Sequence, residues 1–348
     1  MIYEIGVDRA GEMEDYIEVF GRVSWVILSN FGPEHTVGFE SDFKIENWST
    51  VKPSIVDLIN HNPQFDLETS ELEGVLKNCY LEQFKLLELG LIYALPASFE
   101  LKGNELVFKK TNLGTNEFQN IKLEVSRNRD HSLKVGDYTT SEKYLFPQTF
   151  SRQLGIADMV RESFSLKKEA LISVLNNLTL PNGRFGFFEG VNQTKIVDGS
   201  YNSDPASLNS FLDLILEINS KDLNYIVLGE MRELGQTAVL SHQEIINRIA
   251  MIQNDLNCEI ILLGATWLQC QFETKLFKHY SKVGQIIEYF KSNQPDLNAW
   301  FWIKGSQNTI FLEALVESLL VNTDNLDRLA RRGMDWDLLR KSWVGEDF

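Results

Sequence analysis

The sequence predicts an α/β protein whose second half forms a doubly wound parallel sheet. Three short apolar runs each end in glycine, and helical stretches separate them. The runs are residues 224–229 (NYIVLG), 259–264 (EIILLG) and 300–305 (WFWIKG), and the helical stretches include residues 206–218 and 241–254. A strand, a glycine turn and a helix that recur in this order are typical of a parallel sheet with helices on both faces.

The first half of the chain has a less regular pattern. Residues 22–29 (RVSWVILS) are rich in β-branched and aromatic side chains, which favours a strand, and residues 71–94 have helix-like apolar spacing. The pattern predicts a turn at residues 102–104 (KGN) and a helix over residues 164–177. Because the LPNGR segment at 180–184 breaks that helix, we expect one domain over residues 1–179 and a second over residues 180–348.

Composition restricts the classes of function. A chain of 348 residues is long enough for two domains, and its net charge of −16 opposes binding to nucleic acid or to anionic lipid. An anionic substrate would therefore need a local basic pocket. The three cysteines form no CxxC pair, and no apolar run reaches the ~18 residues of a membrane span. We expect a cytoplasmic protein without disulfides, zinc or membrane insertion.

The polar loop at residues 198–205 (DGSYNSDP) lies between an apolar pair and a helix. Such a loop presents backbone N–H groups at the helix N-terminus, an arrangement that suits anions and nucleotides. The alternative is a capped turn, in which Asp204 is the N-cap and Pro205 occupies the first helical position. Both descriptions can hold for the same loop.

Glu4 and His35 each follow a predicted strand, so they can converge at one edge of a sheet as ligands for a divalent cation. Two residues at such long spacing are a weak metal signal, and each taken singly is usually solvated or paired. Neither a GxSxG nor an HExxH motif occurs in the sequence. Hydrolase and metalloprotease functions are therefore not favoured.

Six segments, in their order along the chain, resemble motifs of the Mur ligases. They are residues 3–13 (YEIGVDRAGEM), 28–35 (LSNFGPEH), 180–184 (LPNGR), 197–205 (VDGSYNSDP), 227–235 (VLGEMRELG, with His242 after it) and 303–306 (IKGS). The SYN and GEMRELG forms resemble the branch that adds D-alanyl-D-alanine to UDP-MurNAc-tripeptide. The resemblance implies an incomplete Mur-ligase central ATPase domain, followed by a Rossmann-like doubly wound C-terminal domain.

The resemblance also implies an ATP- and Mg²⁺-dependent amide ligase of peptidoglycan synthesis that works through an acyl phosphate. It assigns nucleotide contacts to Arg184, Asp198, Tyr201 and Asn202. It assigns metal contacts to Glu4 and His35, and substrate contacts to Lys304 and Ser306. It places a carbamylated lysine at either Lys52 or Lys85.

The sequence departs from the family pattern at several points. No Gly-Lys pair of a P-loop occurs in the 348 residues, and the family's P-loop and UDP-sugar-binding domain would precede Glu4. We therefore expect an N-terminally truncated chain, or one that works with a separate P-loop chain, and no activity from this chain alone. Gly199 and Gln307 stand where the family pattern has aspartate and arginine.

Two other functions remain open at this point. One is a non-catalytic Mur-like binding or scaffold protein that has lost ATP hydrolysis together with the P-loop. The other is a ligase similar to folylpolyglutamate synthetase, because Asp198-Gly199 partly matches the DGaHNP loop of those enzymes. The presence of Arg184, Asp198, Glu4 and His35 favours the enzyme, since a scaffold has no use for phosphate and metal ligands.

Overall fold

The structure is a computed structural model that describes residue 19 and residues 25–27, 92–94, 99–111, 118–272, 277–306 and 310–344. The described strands are β1 (Trp25–Ile27), β2 (Ile92–Ala94), β3 (Phe99–Lys102), β4 (Glu105–Thr111), β5 (Phe118–Arg127), β6 (Leu133–Val135), β7 (Tyr138–Thr139), β8 (Gly186–Glu189), β9 (Lys195–Gly199), β10 (Asn224–Gly229), β11 (Cys258–Leu263), β12 (Phe277–Tyr280) and β13 (Trp300–Lys304). The described α-helices are α1 (Ser151–Ser163), α2 (Lys168–Asn176), α3 (Pro205–Ile218), α4 (Ala238–Ile252), α5 (Val283–Ser292), α6 (Glu313–Leu319) and α7 (Met334–Val344).

The second half of the chain is built on a six-stranded sheet in the order β12-β11-β10-β13-β9-β8. Its strands pair in parallel except for β8, which is antiparallel to β9 at one edge. Apolar side chains of α3 and α4 cover one face, and those of α5 and α6 cover the other. The predicted doubly wound α/β sheet is therefore confirmed, with strands at three of the apolar runs and helices between them.

A five-stranded antiparallel sheet, in the order β3-β4-β5-β6-β7, precedes it in the chain. Its core joins Leu106, Val125 and Leu133 to Leu154 of α1 and Leu175 of α2. The predicted turn at residues 102–104 connects β3 to β4, and Gly103 adopts a φ of +58° there. This left-handed conformation costs glycine little because it has no Cβ.

Residues before the proposed domain boundary also contact the six-stranded sheet. Tyr144 forms an antiparallel bridge with Gly186 of β8, and the Phe187 N–H donates to the Lys143 carbonyl at 2.9 Å. Leu145 is fully buried in the core on one face of the sheet. The edge of this sheet thus includes a short segment from the first half of the chain.

Two local predictions differ from the structure. The predicted helix over residues 164–177 begins only at Lys168, because α1 ends at Ser163 and Ser165 takes a φ of 53° between the two helices. Residues 92–94, at the end of a stretch with helix-like spacing, form β2 and pair in parallel with β1. Strand pairing outweighs local spacing there. The strand predicted over residues 22–29 is confirmed at Trp25–Ile27.

Among the described helices, none has the length and apolar character that crossing a bilayer requires.

Candidate functional site

The carboxyl ends of β9, β10 and β13 lie where the winding of the sheet reverses. From β10 the chain proceeds outward to β11 and β12, and β13 then returns to a position between β10 and β9. The helix after β9 packs on one face of the sheet, whereas the helix after β13 packs on the opposite face. A crevice for ligands opens at such a reversal in α/β sheets.

The loop after β9, residues 199–204 (the β9 loop), is held by side chains at both of its ends. The Ser200 N–H donates to Asp198 Oδ1 at 2.9 Å, and the Ser207 N–H donates to Asp204 Oδ1 at 2.8 Å. Pro205 occupies the first turn of α3, and the Asp204 N–H donates to Ser207 Oγ at 3.2 Å. This capping box confirms the predicted capped turn.

The LPNGR turn packs against the β9 loop. The Tyr201 N–H donates to the Gly183 carbonyl at 3.1 Å, and a Cβ built on Gly183 would lie 2.9 Å from the Tyr201 nitrogen. Gly183 also has a φ of +75°, so a side chain there would be both strained and obstructed. The close approach brings the exposed Arg184 guanidinium to 4.9 Å from the centre of the half-buried Tyr201 ring. Within the described residues Arg184 makes no hydrogen bond or ion pair, and the residue is exposed.

Lys304, the last residue of β13, connects the two neighbouring strand ends. It pairs with Gly199 across the parallel ladder, and its Nζ donates to the carbonyl of Asn202 in the β9 loop. The side chain is buried, and this burial lowers the pKa of Lys304 to about 8, although Asp204 and Asp198 counteract the shift. The buried ammonium therefore holds the β9 loop on the sheet.

Several oxygen atoms around these strand ends are buried without a hydrogen-bond partner in the described part of the chain. They are Asp198 Oδ2 and the hydroxyls of Ser200, Ser203 and Ser306. Asp198 is 0% exposed, and burial raises the pKa of its carboxyl, although the Ser200 N–H that donates to it counteracts the shift. Unpaired buried oxygens are costly, so the strand ends retain hydrogen-bonding capacity that the described chain does not use.

No family model matches the sequence of this chain. It is 29% identical over 117 residues to UDP-N-acetylmuramoyl-tripeptide–D-alanyl-D-alanine ligase of Borreliella burgdorferi, a match over 32% of this chain and 24% of that protein. This chain is similar to MurF-type Mur ligases.

Solved structures extend the comparison. MurF from Acinetobacter baumannii aligns with 16% identity and a TM-score of 0.48, over 68% of this chain and 48% of that chain. MurF ligase from Thermotoga maritima, solved in complex with ADP, aligns with 17% identity and a TM-score of 0.46, over 67% of this chain and 49% of that chain. The Mur-like chain thus spans about half the length of these structures.

The structure brings together six of the residues assigned through the Mur resemblance. Arg184, Tyr201 and Asn202 are accessible, whereas Asp198, Lys304 and Ser306 are buried beneath the β9 loop. Glu4, His35, Lys52 and Lys85 lie outside the described residues, so the metal site and the carbamylated lysine stay predictions. Within the described residues no group of three or more His, Cys, Asp or Glu side chains fits a metal ion.

Arg331 is a residue of this candidate site that the sequence pattern did not indicate. Its guanidinium forms an ion pair with Glu313 at 3.0 Å and donates to the Tyr201 carbonyl at 2.6 Å. The adjacent arginines 331 and 332 after an apolar pair are the sole local signal. No sequence spacing links them to a loop 130 residues earlier.

Proposed function

We propose that this chain is part of an ATP-dependent amide ligase that adds D-alanyl-D-alanine to UDP-MurNAc-tripeptide in peptidoglycan synthesis. The observation that carries the proposal is the exposed guanidinium of Arg184 on the Tyr201 ring, at the reversal of the sheet. The chain has a net charge of −16, yet the exposed Arg184 guanidinium lies over the ring of Tyr201, in the loop that leads into the helix beginning at Pro205. This supplies the local basic site that an anionic ligand requires.

A nucleotide fits the accessible residues of this site. The planar fork of Arg184 suits phosphate or ribose oxygens, and Tyr201 and Asn202 offer an aromatic ring and an amide to the adenosine. ATP, when bound, supplies the phosphoryl group that activates a substrate carboxylate as an acyl phosphate for attack by the incoming amine. Asp198 is fully buried, so we assign it to the Ser200 turn that shapes the nucleotide site.

The proposal assigns Lys304 and Ser306 to the part of the site that faces the dipeptide substrate. Lys304 Nζ is committed to the Asn202 carbonyl, so its contribution is to fix the loop that the dipeptide would meet. Ser306 is also buried, and its hydroxyl has no partner among the described residues. We retain Mg²⁺ on Glu4 and His35, and the carbamylated lysine at Lys52 or Lys85, as proposals from the family resemblance alone.

Ligand binding by the purified chain separates the ligase from its two alternatives. Isothermal titration with Mg-ADP, D-alanyl-D-alanine and L-glutamate should show binding of the first two and none of the third. A scaffold protein would bind none of them. An enzyme similar to folylpolyglutamate synthetase would bind Mg-ADP and glutamate, so either result would contradict the proposal.

Turnover is a separate measurement. Because the 348 residues contain no Gly-Lys pair, we expect no ATP-dependent ligation by this chain alone. Phosphate release in the presence of ATP, UDP-MurNAc-tripeptide and D-alanyl-D-alanine would measure it. Steady ligation by protein free of contaminating ligase would refute this expectation while supporting the ligase assignment.

A further inference from the structure

Arg331 connects the ends of two neighbouring strands through backbone carbonyls. Its Nη1 donates to the Ser200 carbonyl at 3.4 Å, and its Nη2 donates to the carbonyls of Tyr201 at 2.6 Å and Ser306 at 3.2 Å. Ser200 and Tyr201 belong to the β9 loop, whereas Ser306 follows β13. A single planar guanidinium therefore sets the spacing between the two loops.

The charge of Arg331 is balanced inside the protein. Its side chain is 4% exposed, and its ion-pair partner Glu313, at the start of α6, is 0% exposed. A buried pair of this kind fixes geometry because neither partner can be moved to water without leaving the other uncompensated. The guanidinium is thus committed to the protein and does not itself reach a ligand.

The chain around Arg331 is anchored to the Gly183 turn and to the segment that bonds to β8. Asn182 Nδ2 donates to the carbonyls of Asp327 and Leu329 at 2.7 and 2.9 Å. Arg328 Nη2 donates to the Lys143 carbonyl at 3.0 Å. These bonds hold the segment 327–331 against the turn that carries Arg184.

The position of Arg331 also bears on the accessible part of the site. Its Cζ lies 5.6 Å from the centre of the Tyr201 ring, and the Cζ of Arg184 lies 4.9 Å from the same centre. Attraction between a guanidinium and an aromatic ring operates at these distances. The Tyr201 ring on which Arg184 rests is therefore fixed through both its backbone carbonyl and its π-system.

We propose that Arg331 is a positioning residue that holds the β9 and β13 loops in the arrangement in which Arg184 and Tyr201 receive a nucleoside phosphate. It acts through the carbonyls of Ser200, Tyr201 and Ser306. The ligand half of this inference rests on the proposed function, whereas the loop-fixing half does not.

The test is Arg331→Lys in the full chain, with Arg332→Lys as the matched control. Lysine keeps the charge beside Glu313 but cannot donate to three carbonyls from one rigid fork. Arg332 lies next to it and pairs with Glu317 on α6 instead of with the loops. Hydrogen exchange of the Tyr201 and Gly305 amides, which donate to Gly183 and Gly199 carbonyls, reports on the loops directly.

We expect Arg331→Lys to raise exchange of both amides at least tenfold and to weaken Mg-ADP binding at least tenfold. Arg332→Lys should change neither. The proposal would be overturned if the Tyr201 and Gly305 amides of Arg331→Lys exchanged as slowly as in the unmodified chain. It would also be overturned if the affinity for Mg-ADP fell only in proportion to the unfolded fraction of the variant. If the unmodified chain binds no Mg-ADP, the proposed function fails and the exchange result alone decides whether Arg331 fixes the loops.

A second variant covers the case in which Arg331→Lys does not fold. The double variant Arg331→Leu, Glu313→Leu removes both buried charges, and apolar replacement of a buried pair is often neutral for stability. Rapid exchange of the Tyr201 and Gly305 amides in this folded variant would support the proposal. Protection equal to that of the unmodified chain would overturn it.

Discussion

The β9 loop and the loop after β10, residues 230–237 (the β10 loop), occupy equivalent places at the carboxyl end of one sheet but use their polar groups differently. In the β10 loop, Glu230 Oε2 accepts from the Thr266 N–H and hydroxyl at 2.9 and 2.8 Å, and Oε1 pairs with Arg232. Burial alone would raise the pKa of Glu230, but these Thr266 bonds and the Arg232 charge lower it. The carboxylate is satisfied inside the protein.

His242 completes the internal network of the β10 loop. Its Nε2 accepts from the Met231 N–H at 2.9 Å, its Nδ1 lies 2.6 Å from the Ala238 carbonyl, and its ring packs edge-on against Trp267. Both contacts require a neutral ring with its proton on Nδ1, and burial lowers the pKa of His242, which favours the neutral form. At the β9 loop, by contrast, the neighbouring Arg184 stays accessible, and the Ser200 and Ser203 hydroxyls of the loop lack partners among the described residues.

The contrast shows that a polar motif at a strand end does not by itself indicate a ligand contact. Both loops resemble Mur motifs, but internal hydrogen bonds satisfy the polar side chains of the β10 loop, and our proposal places the ligand at the β9 loop instead. Four measurements test this distinction.

The largest effect is expected for His242→Ala. It leaves the buried Met231 N–H without its partner and opens a cavity beside Trp267, so the free energy of unfolding should fall by about 4 kcal/mol. Glu244→Ala, an exposed residue of the same helix, should change it by less than ~0.5 kcal/mol. Urea denaturation measures both. A strong loss of Mg-ADP affinity in folded His242→Ala would place the β10 loop in the binding site.

Lys304 should make stability depend on pH. Burial lowers its folded pKa to about 8 from an ordinary 10.5, so between these pH values the unfolded chain holds a proton that the folded chain has released. The free energy of unfolding, taken relative to that of Lys304→Met, must then rise by ~3 kcal/mol as the pH increases across this window. Below the window this difference should not change with pH. Lys221→Met, at an exposed position, should show no such difference. Parallel pH profiles for the unmodified chain and Lys304→Met would contradict the buried cation.

A shorter chain tests whether the two loops depend on the first half of the protein. We propose that residues 180–348 fold as a domain, since both loops and the six strands of their sheet lie within them. The fragment lacks Leu145 and the backbone bonds of Lys143 to Phe187 and of Leu145 to Phe185, so it should unfold cooperatively with about 2 to 3 kcal/mol less stability. Differential scanning calorimetry measures this, and the lack of a cooperative transition would count against the domain.

The smallest change is expected for Arg184→Ala, which should alter binding and leave stability intact. Loss of an exposed fork of charged donors should weaken Mg-ADP binding at least tenfold, which is about 1.4 kcal/mol. The melting temperature should stay unchanged, and Arg129→Ala, at another exposed arginine, should affect neither quantity. If Arg184→Ala lowers the melting temperature while binding is unchanged, the nucleotide assignment of the β9 loop is wrong.

Local sequence determined the elements around the site. Apolar runs that end in glycine predicted β10, β11 and β13, and the Asp204-Pro205 pair predicted the start of α3. These features depend on residues a few positions apart, where side-chain periodicity and capping act directly on the backbone. The helix over 164–177 was placed too early because the left-handed turn at Ser165 carries no glycine to signal it.

Packing in the folded protein decides which of the polar residues are accessible to a ligand. Asp198 and Lys304 have the appearance of ligand-binding residues in the sequence, yet the packing of β9 against β13 buries both and turns them toward the loop backbone. Arg331 reaches the same loops from 130 residues away, by way of α6 and its buried partner Glu313. Burial and long-range hydrogen bonds are properties of the assembled sheet. A motif specifies which groups arrive at a strand end, and the packing specifies which of them remain exposed to a ligand.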